Sequence, residues 1–94
     1  MIQTKDAEID IADAISSNLY LRASAIDFFE KIENAPAQKI VVDFRSVEFI
    51  NRSFAHEYLT QKNKSTKTIS EIHLSEDAQK MLEIVFNVHK NEFK

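Results

Sequence analysis

Ile40-Val41-Val42-Asp43-Phe44-Arg45-Ser46-Val47-Glu48-Phe49-Ile50-Asn51-Arg52-Ser53-Phe54-Ala55-His56-Glu57-Tyr58-Leu59 is the stretch on which the fold turns. Its first five residues are a continuous apolar run, rich in β-branched side chains and closed by an acid. A strand covered on both faces reads this way. Arg45-Ser46 marks a bend. Val47, Phe49 and Ile50 return to the apolar pattern. Asn51 and Ser53 are both residues that cap free backbone N–H groups, so a helix starts there. Phe54, Ala55, Tyr58 and Leu59 then give that helix a buried stripe.

Upstream, Leu21, Ala25, Phe28, Phe29 and Ile32 are spaced by three and four, which predicts a helix over 22–34. Asn34 and Pro36 stop it, because proline disfavours a helical residue before it. Ala7-Glu8-Ile9-Asp10-Ile11 alternates and predicts a half-exposed strand. Met1 to Thr4 fits a preceding edge strand. Residues 12–20 fit neither period, and Ser16-Ser17-Asn18 is turn chemistry. Downstream, Ile69 and Ile72 mark a strand over 68–74. Ser75-Glu76-Asp77 is a capping serine followed by two acids that suit the positive helix end. Ala78, Met81, Leu82, Val85 and Phe86 form the clearest amphipathic stripe in the chain. Lys62-Asn63-Lys64-Ser65-Thr66-Lys67 reads as a solvated loop, and the tail from Lys90 as frayed. Strands that alternate with helices imply parallel pairs joined by crossovers.

Composition narrows the function. The chain has 94 residues, which is one domain. Without Cys it has no disulfide, thiolate nucleophile or zinc–thiolate site. Without Gly it lacks the loops that cradle phosphates in P-loop and dinucleotide-binding proteins. A net charge of −3 gives little phosphate-neutralising affinity, so nucleic acid is not an expected partner. The N-terminus does not read as a secretory signal, and no stretch approaches a membrane span. The expectation is a cytoplasmic protein with no membrane partner.

The twenty-residue core resembles the hallmark of the STAS-like family of unknown function. The shared pattern is an apolar strand ending in Asp43-Phe44, then Val47-Glu48-Phe49-Ile50, then Ser53-Phe54-Ala55-His56-Glu57 opening a helix. Leu21-Arg22 followed by Ala25 is similar to that family's Leu-x-x-Arg-x-x-Ala helix start, with leucine here directly before arginine. The resemblance spans roughly residues 7–88. It implies one STAS-like α/β domain over 1–94: a mixed, roughly four-stranded sheet with three helices largely on one face. That family is similar to bacterial anti-sigma factor antagonists, which bind a GHKL-type kinase and are switched by phosphorylation at the start of the second helix. The implied function is a regulatory protein-interaction module with a kinase-like or sigma-regulating partner. The antagonists carry Asp-Ser-Ser/Thr-Gly at the loop, where this chain has Asn51-Arg52-Ser53-Phe54. Arg52 takes the usual acceptor position, and Ser53 places a hydroxyl one residue later.

Arg45, Asn51, Arg52, Ser53 and His56 are accordingly the expected exposed partner contacts, and Ser53 the candidate phosphosite. Ser53 also reads more simply as a helix cap. Asp43, at a strand's carboxyl end, suits a crevice, or more plainly suits bonds from the loop N–H groups that follow. Glu57 is expected to pair with Arg22 or Arg52. His56, His73 and His89 are far apart in sequence and lack HxxxH spacing, so no metal or other cofactor is expected. No Ser–His–Asp or Cys–His set can be argued, so no enzyme is expected. The second reading is a small-ligand or nucleotide sensor using the same crevice, and a homodimer stays open.

Overall fold

In the computed structural model, which describes residues 6–93, β1 (Asp6–Asp10), β3 (Lys39–Asp43) and β5 (Thr68–Ile72) form a sheet in the order β1-β3-β5. Both pairings are parallel, with Ile9 opposite Val42 and Val42 opposite Glu71. Parallel neighbours require a crossover. α2 (Arg22–Asn34) lies between β1 and β3 in the chain, and α3 (Arg52–Lys64) between β3 and β5. α4 (Glu76–Val88) follows β5 and is continued by a 3-10 turn at Lys90–Glu92. A short α1 (Ile11–Ala14) follows β1 directly, started by the Asp10 carboxylate, which accepts from the N–H groups of Ala12 and Asp13. The edge strand expected over Met1–Thr4 lies outside the described residues.

The expected sheet is corrected in three respects. Among the described residues there is no mixed four-stranded sheet: three strands form one parallel sheet, and β2 (Asn18–Leu19) and β4 (Phe49–Ile50) form a second, also parallel. Among the described residues the α-helices number four rather than three. The cause of the split is local. Phe44 N–H donates to Ile72 O, the last ladder bond, and Val47 N–H then closes a turn onto Phe44 O. The chain leaves the sheet there. Glu48 and Phe49 N–H both donate to Ser17 O, and Asn51 N–H to Leu19 O, so the segment pairs with the residues that follow α1.

The sheet is also less symmetrical than the apolar run suggested. Ile40 and Val42 are fully buried and share a face with Ala7, Ile9 and Ile69. The other face carries Val41, half-buried, between Glu8 and Ser70, both exposed. Polar neighbours on both flanking strands keep that face open, so the sheet is sealed on one side only. The core against the sealed face includes Phe28, Phe29 and Ile32 of α2, Phe54 and Tyr58 of α3, and Leu82 and Val85 of α4. Tyr58 is the hub of the aromatic packing. Phe29 and Phe44 meet its ring edge-on at 5.1 and 5.7 Å between centroids, and Phe54 stacks at 6.4 Å. Edge-to-face pairs add to area burial by aligning the ring quadrupoles.

Two predicted core positions are exposed. Leu21 precedes α2 as its cap residue and is 55 % exposed; Phe86 lies at the margin of the α4 stripe and is 46 % exposed. The lysine-rich segment is corrected as well. α3 runs through Lys64, and the Lys67 ammonium donates to the carbonyls of Ala35 and Ala37, each at 2.7 Å. This satisfies acceptors next to Pro36, where α2 has ended. Glu33 faces the same segment, accepting from the Ser65 hydroxyl and from the N–H and hydroxyl of Thr66. The Ser65 bond, with those from Thr66 and the Lys67 charge, outweighs desolvation and holds the Glu33 carboxyl below its ordinary value. Among the described residues no helix is long and apolar enough to cross a membrane.

Candidate functional site

The singled-out residues lie at the carboxyl end of β3 and over the first turns of α3. Asp43, which ends β3, is a buried polar side chain, 4 % exposed. Its Oδ1 accepts from Arg45 N–H at 2.8 Å and lies 3.0 Å from His73 Nδ1; its Oδ2 accepts from Arg45 Nε at 2.8 Å. Burial alone would push the carboxyl up. The Arg45 backbone bond, the His73 and Arg45 side-chain bonds and the Arg45 charge outweigh it, and the net shift is downward. Asp43 thus binds the loop that follows its strand. The bond from His73 was not legible in the sequence, because β5 had to lie beside β3 for the two to meet. His73 has φ +56°, the left-handed region, and is the one such residue among those described. A chain without glycine makes this turn with a histidine, at some backbone cost.

The cap of α3 is Asn51, whose side-chain oxygen accepts from Phe54 N–H at 2.8 Å. Its amide also donates to Tyr20 O at 3.3 Å, joining the cap to the β2 segment. Ser53 is therefore not the cap: it sits two residues inside the helix, half-buried. Asn51 has the extended backbone that a cap needs, so the first of the two candidate caps is used. Arg52 is exposed, as is Arg45, at 59 % of its side chain.

On the next turn of α3, Glu57 pairs with Arg22 at 3.6 Å, as expected, and also accepts from Gln61 at 2.8 Å. His56 is partly exposed, at 21 % of its side chain. Its ring stacks on His89 at 4.1 Å between centroids, and Phe93 meets it edge-on at 6.2 Å. His56 Nε2 lies 3.0 Å from Glu92 Oε1, and His89 Nδ1 lies 2.5 Å from Glu92 Oε2. These bonds, with His56 first, hold the Glu92 carboxyl below its ordinary value. The tail expected to fray is instead folded into a turn against α3, and Phe93 stacks on Phe86 at 5.8 Å. Sequence spacing separated His56 from His89 because they belong to different helices. The packing of α3 on α4 reunites them.

The corner also shows an apolar surface that periodicity did not single out. Asn18 and Phe49 are direct partners in the β2–β4 pair, with Leu19 and Ile50 turned into the core. Phe49 and Tyr20 are both 52 % exposed. Beside Phe49, a cleft of about 300 Å3 runs between β4 and α4, lined by Val47, Phe49, Ile50, Met81 and Ile84 among others. No protein-family model matches the chain, and no curated protein and no solved structure matches it either.

Proposed function

We propose that this chain is a non-enzymatic protein-interaction module that presents the corner from Arg45 to Ser53 to a regulatory partner. The observation that supports it most is Phe49, half exposed beside a cleft of mixed lining, with Met81 and Ile84 on one side and Glu48, Asp77 and Lys80 at its polar positions, and flanked in the chain by the exposed Arg45 and Arg52. Aromatic and arginine side chains are enriched among the residues that carry binding energy at protein interfaces. The resemblance to STAS-like domains supports a kinase-like ATPase or sigma-regulating factor as the partner. A phosphate on Ser53 would add negative charge in the first turn of α3, next to Arg52, and change the charge of the docking face. Asn51 serves this reading as the residue that shapes the corner rather than as a contact.

The test is capture and reconstitution with the whole chain. Wild type, Phe49→Asp, Arg52→Glu and a distant control, Glu30→Lys, are immobilised, and a retained protein is purified and titrated against each. Loss of binding in the first two variants and its retention in the control support the reading. A partner bound equally by all four overturns it. A melting-temperature screen with nucleotides addresses the sensor alternative, because a ligand at 100 times its Kd adds about 2.7 kcal/mol of stability.

A further inference from the structure

His56 from α3, His89 at the end of α4 and Glu92 from the turn beyond it converge so that one ligand atom of each lies within 4.8 Å of the others. The two imidazoles are nearly parallel, 23° apart, and a single carboxylate spans them, one oxygen to each ring. Each imidazole can offer one nitrogen lone pair, and the carboxylate an oxygen, to a shared ligand.

We propose that His56, His89 and Glu92 form a binding site for a divalent transition-metal ion of the zinc type. Two imidazole nitrogens with one carboxylate are a donor set such ions favour; calcium and magnesium favour oxygen throughout. His56 Nε2, His89 Nδ1 and a Glu92 oxygen are the ligand atoms. Three protein ligands leave a tetrahedral ion one position for water. With bonds of about 2.0–2.2 Å, ligand atoms around such an ion stand roughly 3.3–3.5 Å apart. The His56–Glu92 pair is already at 3.0 Å and the His89–Glu92 pair at 2.5 Å, so small side-chain movements of partly exposed groups open room for the ion. The bound ion links α3 to the C-terminal turn and so fixes Phe93 over His56.

Arg22 gives the site a distinguishing property. Its NH1 lies 3.3 Å from His56 Nδ1. A guanidinium only donates, so this contact keeps the lone pair on Nδ1 and the proton on Nε2. A metal on Nε2 requires the other tautomer, with its proton turned toward Arg22. The ion and the Arg22–His56 contact therefore exclude one another, and Arg22 retains Glu57 as an alternative partner at 3.6 Å. Removing Arg22 strengthens metal binding. The site uses neither Phe49 nor Arg52, so it stands or falls separately from the docking reading.

The test uses the full chain, free of any histidine tag and stripped of metal. Zinc is titrated by calorimetry, and cobalt(II) is followed by its visible absorption with zinc as competitor. One equivalent binds the wild type. His89→Gln, at a half-buried position, and Glu92→Gln, at an exposed one, weaken it by more than the roughly 10–100-fold that loss of an outer partner costs at known sites. His73→Asn leaves it unchanged, and Arg22→Gln tightens it. Circular dichroism confirms that each variant is folded. Absence of stoichiometric binding overturns the proposal, and so does binding that survives loss of His89 and Glu92.

Discussion

The Tyr58 hydroxyl, on a fully buried ring, donates to Glu71 Oε2 at 2.8 Å, and the same carboxylate holds the Lys62 ammonium at 2.9 Å. The core thus opens onto the sheet's edge strand through one polar bond. Burial, reinforced by the Glu71 charge and bond, raises the Tyr58 hydroxyl well above its ordinary pKa. It remains a donor throughout the physiological range. Tyr58→Phe removes that donor but leaves Glu71 its lysine. The expected loss is about 1–2 kcal/mol of unfolding free energy in urea. Tyr58→Ala also opens a cavity among Phe29, Phe44 and Phe54, and costs about 3–5 kcal/mol.

Asn51→Ala removes the side chain that caps α3 and is expected to cost about 1 kcal/mol. Ser53→Ala, inside the first turn, is expected to stay within about 0.5 kcal/mol. Chemical denaturation of the two variants separates the roles. A larger loss for Ser53→Ala would move the cap to Ser53.

Asp43, Glu33 and Glu92 all have carboxyls held below their ordinary values in the folded protein. A depressed carboxyl contributes stability above the unfolded value, about 3.9 for Asp and 4.3 for Glu, and loses it as pH falls through the folded value. Stability is therefore expected to hold from neutrality to about pH 5 and to decline below it. In Asp43→Asn that decline is shallower. Urea midpoints at a series of pH values check this, and parallel curves for the two proteins would contradict it.

Lys67→Met keeps the side-chain length but removes the donor to Ala35 and Ala37. The expected loss is about 1–2 kcal/mol, with faster amide exchange around Pro36.

His73→Asn keeps a residue type that tolerates positive φ, and is expected to change stability little. His73→Val, β-branched at φ +56°, is expected to be less stable than His73→Asn by about 1–2 kcal/mol. Equal stabilities of the two variants would show that the backbone there relaxes.

What the sequence made legible was what local periodicity and capping encode. The bounds of α2, Arg22 to Asn34, follow from the Ala25–Ile32 spacing and Pro36, and Ser75 does cap α4. Asp43 binds its own loop, and Arg22 meets Glu57, as the residue types suggested. The two-residue strands β2 and β4 were not legible, because two residues carry no period. The tie between Lys67 and Ala35, and the meeting of His56, His89 and Glu92, depend on packing between distant segments. The expected four-stranded sheet was not legible as a split one, because nothing in Arg45-Ser46 shows that the chain leaves β3 there to pair with residues 18–19.

Every strand pairing among the described residues is parallel, so none of them closes as a hairpin. Asp6 must find Lys39, and Lys39 must find Thr68, across intervening helices. The ordering entropy of those closures falls due before any ladder bond forms. Refolding after dilution from denaturant is therefore expected to be limited by these non-local closures rather than by helix formation.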